Sequence, residues 1–182
     1  MVLASKSPRR HELMKRITND FITYDSNIDE DVFRNLPPID ACKSISLHKA
    51  LAAKKAFPKE LILSADTIVV LDDKIINKPK DKMDAFYILK ELSNKEHQVI
   101  TAFTIIKEEK IYTDTVISKV LMNELNDDLI NAYIESGSPL DKAGAYGIQD
   151  NDRFPIVKSY SGSYDNIVGF PVDEIRLALE SI

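Results

Sequence analysis

Apolar residues recur in short blocks along this chain, and the spacing within each block separates strands from helices. Val2-Leu3-Ala4 predicts a short buried strand. Ser5-Lys6-Ser7 follows and leads to Pro8 at the first position of a helix, with Ser7 as N-cap and Leu13, Met14 and Ile17 facing in. Residues 21–24 read as a strand and 25–38 as an acidic loop, because Pro37-Pro38 bars a regular helix until about Ile39. Alanines with Leu47 and Leu51 predict a helix over 39–57, stopped by Pro58. Residues 61–65 form an apolar strand arriving at Asp66-Thr67, and a further apolar run, 68–71, leads into the turn Asp72-Asp73-Lys74.

The pattern then predicts a helix over 81–92, with Met83, Ala85, Phe86, Leu89 and Leu92 as its inward set. Residues 99–106 and 110–121 read as two long strands joined by a hairpin at Lys107-Glu108-Glu109. Helical signals return at 126–135, strand signals around 154–158 and 164–168, and a last helix follows Pro171 with Val172, Ile175 and Leu179 facing in. Interleaved helices and strands around a central hairpin predict an α/β fold with a mixed sheet, and no repeat or long linker divides residues 1–182 into more than one domain.

Composition narrows the class. With 182 residues, 44% of them hydrophobic and 29% charged, this is a globular chain and not a disordered one. No stretch approaches the roughly 20 consecutive apolar residues of a membrane span. A secretory signal is not evident, and Cys42 is the only cysteine, so the expected location is the reducing cytoplasm, away from membranes. A net charge of -5 argues against a broad footprint for nucleic acid. The charges are unevenly placed, however. Lys6, Arg9, Arg10, Lys15 and Arg16 face only Glu12 in the first 16 residues, and Asp20, Asp25, Asp29, Glu30, Asp31 and Asp40 follow with Arg34 among them. An anion site beside a cation site is conceivable.

All five glycines lie at or beyond Gly137, which excludes the two common glycine-rich phosphate loops from the preceding residues. If phosphate is bound, side chains must do more of the work. Ser5-Lys6-Ser7-Pro8-Arg9-Arg10 places hydroxyls and guanidinium forks at a helix start, an arrangement suited to an anion and equally to a capped surface helix with solvated arginines. Asp66, at the end of an apolar strand, is costly to bury unless it is paired or bound to metal, and ligands of α/β sheets sit beyond strand carboxyl ends; the alternative is a carboxylate capping the turn through Thr67.

Asp29-Glu30-Asp31 offers oxygen ligands to Mg²⁺, or is a solvated acidic loop. Lys49 and Lys78 do not stand out singly, although Asn77-Lys78-Pro79 restrains one cation in a turn. His11, His48 and His97 have no zinc-ligand spacing. In the run 141–149, Gln149 carries the donor and acceptor that a uracil or thymine edge requires; a loop anchored by a tyrosine is the other reading.

Together these motifs resemble the Maf family of nucleoside triphosphate pyrophosphatases, from residue 2 to about 180. Ser5-Lys6-Ser7-Pro8-Arg9-Arg10 is similar to its N-terminal signature, Ser64-Ala65-Asp66-Thr67 to its acidic motif, and Asn77-Lys78-Pro79 to its lysine turn. The run 141–149 resembles the branch acting on dTTP and UTP and not the 7-methyl-guanosine branch.

The resemblance implies an inosine-triphosphatase-like fold, a mixed twisted sheet flanked by helices with two lobes around a cleft. It implies hydrolysis of dTTP, UTP and modified pyrimidine nucleotides to monophosphate and pyrophosphate, which limits unwanted nucleotides in the pool. A divalent metal cation such as Mg²⁺ or Mn²⁺ assists. Asp66 would accept the proton, Ser5, Arg10, Lys49 and Lys78 would bind phosphate, Glu30 and Asp66 would hold the metal, and Arg9, Thr67 and Gln149 match positions tied to base preference. A homodimer is common among relatives. A second class, implied by the family name, is a nucleotide-binding regulator of cell division or septum formation with weak or no hydrolysis. Ser64 and Asn77 stand where the family usually has glycine, as does the Asp150-Asn151 region; Asn77 is expected to keep its turn through a left-handed backbone, and Ser64 needs ordinary angles.

Overall fold

The computed structural model describes every residue except Arg34. The chain forms two compact units, Met1–Thr67 with Ile100–Val116 and Ser163–Ile182, and Ile68–Val99 with Ile117–Gly162. The strands are β1 (Val2–Ala4), β2 (Ile22–Thr23), β3 (Ile62–Leu71), β4 (Lys74–Ile76), β5 (Glu96–Lys107), β6 (Lys110–Met122) and β7 (Val157–Ser161). The helices are α1 (Pro8–Met14), α2 (Pro38–Ala56), α3 (Lys82–Leu92), α4 (Asp127–Glu135), α5 (Tyr164–Val168) and α6 (Val172–Ser181). The sheet runs β2-β1-β3-β5-β6-β7, with β4 also on β3. β1 is parallel to β2 and β3, whereas β3/β4 and β6/β7 are antiparallel, so the sheet is mixed as expected.

In the first unit β3 alternates between two packed faces. Leu63 and Ala65 join Leu3, Met14, Phe103, Phe170, Val172 and Ile175 in one core, and Ile62 joins Val2, Ala50 and Ala53 of α2 in another. In the second unit α3 packs on α4, burying Ala85, Ile88, Leu89 and Leu92 of α3 and Ile130, Tyr133 and Ile134 of α4. Among the described residues no helix is long and apolar enough to cross a membrane.

Several elements differ from the sequence pattern. β3 is one continuous ten-residue strand, with no turn at Asp66-Thr67. Residues 164–168 are helical: Ser163 caps Asn166 N–H and Gly169 closes the turn at φ 115°, and these two punctuating residues outweigh the short apolar run. β7 starts only at Val157, where the Asn151 side chain holds both its N–H and its C=O. Met83 is exposed, because two residues before Ala85 is the opposite side of a helix, and Ile88 takes the inward place. α1 stops at Met14, α2 begins one residue early at Pro38, and β2 has two residues.

Candidate active site

β1 partners β3 only as far as Ala4 opposite Ser64. Ser5 and the start of α1 therefore emerge beside the stretch of β3 that contains Asp66 and Thr67. The strand end that opens the site is that of β1 and not β3, a correction to the expectation for Asp66. It also removes the capping role, since no turn exists there to cap.

The α1 entry is ordered by its own hydroxyls. Ser7 N–H donates to Ser5 Oγ at 3.1 Å and Arg10 N–H to Ser7 Oγ at 3.4 Å, while Pro8 has no N–H to offer. Two backbone donors of this turn are thus already occupied, and what reaches outward is side-chain charge. Arg10 extends to the far end of α5, where Nε donates to the Gly169 carbonyl at 2.8 Å and Nη2 to Thr67 Oγ1 at 2.9 Å. Burial lowers its pKa, and the charge of Asp66 is the largest influence in the opposite direction, with Glu30 adding to it and Arg9 opposing.

On the other face of β3 the arrangement is ionic. Lys49, from the middle of α2, places Nζ 2.7 Å from Glu30 Oε1 and 2.8 Å from Asp66 Oδ1. Side-chain exposures of only 12% for Lys49 and 10% for Asp66 leave this pair largely unscreened by solvent. α2 approaches the strand closely because its contact residues are small. Cys42 Sγ lies 3.3 Å from the Asp66 carbonyl, and Ser46 Oγ lies 3.1 Å from Ser64 Oγ and 2.9 Å from Thr104 Oγ1. Ser64 donates to the Ser46 carbonyl at 2.7 Å from ordinary strand geometry, the backbone angles expected of it. The buried Cys42 thiol has its pKa raised by desolvation first and by Asp66 second, so it stays protonated.

Two carboxylate oxygens converging on one cationic atom are a hard-donor pair of the kind Mg²⁺ or Mn²⁺ takes together with phosphate oxygens. The described residues contain no group of three or more His, Cys, Asp or Glu that could hold a metal. Glu30 and Asp66 would hold such an ion, with substrate oxygens completing its coordination.

In the second unit, Lys78 is exposed between β4 and the buried Pro79. The Asn77 carbonyl accepts from Gly144 N–H at 3.2 Å, tying the lysine turn to the 141–149 run. Asn77 does not adopt left-handed angles, contrary to expectation; it holds the turn through that carbonyl. Gln149 is exposed, and its amide lies over the bare Cα of Gly147, where a Cβ would fall 2.6 Å from Nε2. Gly147 N–H is fixed by Tyr133 OH at 2.9 Å, and that phenol donates to Asp150 Oδ2 at 2.6 Å. Tyr146 is buried and 2.7 Å from His97 Nε2, so the run does contain a tyrosine anchor, and burial pushes His97 down to about 4.

Ser5, Arg10, Glu30, Lys49, Asp66 and Thr67 are thus gathered in the first unit with Arg9 beside them, and Lys78 and Gln149 belong to the second. Sequence reasoning passed over Cys42, Thr101 and Gly169, which line the same side chains. The family model of Maf-like proteins matches residues 1–182. The chain belongs to the Maf-like family.

This Maf-like chain is 42% identical to the dTTP/UTP pyrophosphatase of Pyrococcus furiosus over 99% of its length and 94% of the relative's. It is 41% identical to the dTTP/UTP pyrophosphatase of Clostridium botulinum, strain Alaska E43, over 99% and 97%, and 42% identical to that of Thermosipho africanus over 96% and 89%. Among solved structures, the Staphylococcus aureus Ham1 protein superposes with a TM-score of 0.57 at 11% identity, covering 99% of this chain and 97% of that one. That likeness shows the fold, and the expected α/β class with a mixed sheet is the one observed.

Proposed function

We propose that this chain hydrolyses dTTP and UTP, the nucleotides in the name dTTP/UTP pyrophosphatase carried by its relatives, and modified pyrimidine triphosphates as well, to the monophosphate and pyrophosphate. The observation that carries the reading is Lys49 held between Glu30 and Asp66 on a strand whose next residue holds Arg10. Burying an ion pair of this kind is poor value for stability alone, because desolvation offsets its Coulombic gain. A polyanionic substrate and an attacking water give it a purpose.

In this mechanism Arg10 of the first unit grips phosphate oxygens, Ser5 shapes the entry turn, and Arg9 and Thr67 bear on base preference; of the second unit's residues, Lys78 is assigned to phosphate and Gln149 to base preference. Glu30 and Asp66 hold the divalent cation, which when bound neutralises charge on the phosphates. Lys49 keeps Asp66 Oδ1 in place, and Asp66 Oδ2 takes the proton of the attacking water. The single cysteine, buried in its thiol form, suits a cytoplasmic setting.

The test is to supply purified protein with dTTP, UTP, CTP and modified pyrimidine triphosphates, under Mg²⁺ or Mn²⁺, and to quantify pyrophosphate and monophosphate. Equal amounts of the two from dTTP and UTP are expected. Tight triphosphate binding with no pyrophosphate release would replace the enzyme by a nucleotide-responsive regulator.

A further inference from the structure

Thr101, in β5, belongs to none of the motifs that point to the active site. It is fully buried, with its hydroxyl 2.9 Å from Thr67 Oγ1 and 3.1 Å from the Asn166 carbonyl oxygen. A carbonyl can only accept, so the bond to Asn166 uses the one hydrogen of Thr101. Thr101 then accepts the hydroxyl hydrogen of Thr67, and Thr67 turns its lone pairs to Arg10 Nη2 at 2.9 Å. The result is a directed chain from Arg10 to Thr67 to Thr101 to the Asn166 carbonyl. The Thr67 hydrogen has a second acceptor within reach, the Gly169 carbonyl at 3.3 Å, and the shorter contact to Thr101 at 2.9 Å takes it. The Gly169 carbonyl meanwhile takes Arg10 Nε at 2.8 Å, so both bonded edges of the guanidinium end on carbonyls of α5 and its cap, one directly and one through two hydroxyls.

We propose that Thr101 is a positioning residue for Arg10, setting the direction of the hydroxyl chain so that the remaining guanidinium N–H groups are presented to the substrate's phosphates. The inference rests on the reading of Arg10 as a phosphate-binding group. Without the Thr101 hydroxyl, the Thr67 hydrogen has one acceptor left nearby, the Gly169 carbonyl at 3.3 Å, and that is the oxygen Arg10 Nε already uses. The Thr67 hydroxyl then turns to the Gly169 carbonyl and shares it with Arg10 Nε, and its lone pairs turn away from Arg10 Nη2, which weakens both anchors although no atom of Arg10 has been changed.

Thr101→Val keeps the side-chain shape and removes the hydroxyl, Thr101→Ser restores it, and Thr101→Ala supplies the same comparison should the valine variant misfold. The first readout, in ¹⁵N-labelled protein without nucleotide, is solvent exchange of the Arg10 Nε–H. It should quicken by roughly fivefold to tenfold in the valine or alanine variant, the worth of one net hydrogen bond, and return to the parent rate with serine. The second is dTTP hydrolysis, where KM should rise by a similar factor while kcat stays within roughly a factor of two. Unchanged exchange and KM in a folded variant, or failure of serine to restore them, overturns the proposal. If the parent protein releases no pyrophosphate from dTTP, the proposed activity fails, and the exchange measurement still decides the role of Thr101.

Discussion

Asp66 and Thr67 are adjacent in the chain and meet opposite chemistries. On the α2 face charge meets charge: one ammonium lies between two carboxylates, leaving a net negative charge. On the α1 face charge meets neutral oxygen: the Arg10 guanidinium is bonded to a hydroxyl and a carbonyl, so its positive charge is oriented without being cancelled. Strand alternation with a period of two is enough to produce this division. One step along β3 separates a face of net negative charge from one of net positive charge, and the field of Asp66 still reaches Arg10 across that step.

The division is tested most severely at Asp66. Asp66→Asn keeps the side-chain volume and removes the base, so kcat for dTTP should fall by about 10³-fold, within the range for general-base catalysis, with the folded CD spectrum unchanged. Near-normal turnover would remove the acid face from the chemistry. Lys49→Met comes next. It leaves Glu30 and Asp66 facing each other without their cation, and the folded state should lose about 3 kcal/mol in denaturant titrations, the low end for a broken buried pair because Glu30 is partly exposed. Added Mg²⁺ or Mn²⁺ should recover part of that loss, and a metal-indifferent midpoint would mean that the carboxylates do not share an ion.

On the opposite face, Gly169→Ala puts a Cβ 3.1 Å from Thr67 Oγ1 at a backbone φ of 115°. About 1–2 kcal/mol of destabilisation should accompany a raised KM with kcat little changed, since the backbone strain acts where Arg10 is held. A variant with lower stability and unaltered KM would separate the α5 carbonyls from phosphate binding. The smallest effect is expected in the second unit. Gly147→Ala puts a Cβ 2.6 Å from Gln149 Nε2 and 2.8 Å from Lys142 Cε, so both side chains must shift, and the ratio of dTTP to CTP turnover should change by roughly twofold to threefold. A constant ratio would take Gln149 out of base choice.

Much of the fold was legible because its signals are local. Ser7-Pro8 marked the start of α1, the alanines marked α2, and the charged Lys107-Glu108-Glu109 turn separated two long apolar strands that do form a hairpin. The sequence misled where two local signals competed. Asp66-Thr67 looked like a strand end because polar residues interrupt an apolar run, yet each is satisfied sideways by Lys49 and Arg10, so the strand continues. Residues 164–168 looked like a strand until Ser163 and Gly169 are weighed as caps.

The candidate site was legible as separate motifs, and the ion pairs joining residues 30, 49 and 66 were not, since no local pattern encodes a contact between a loop, a helix and a strand. Thr101 left no trace at all. Threonine in a strand is ordinary, and its role follows only from the donors and acceptors that folding places around it.

The central claim is that the acid face activates water while the arginine face holds the phosphates. Single-turnover hydrolysis of dTTP in ¹⁸O-water, with unlabelled protein in excess, tests it most directly. The account predicts ¹⁸O in the monophosphate from the first turnover and none in the pyrophosphate. A first-turnover monophosphate carrying unlabelled oxygen from the protein would make Asp66 a nucleophile and not a base, and label in the pyrophosphate would place the attack on the wrong phosphorus; either result contradicts the account.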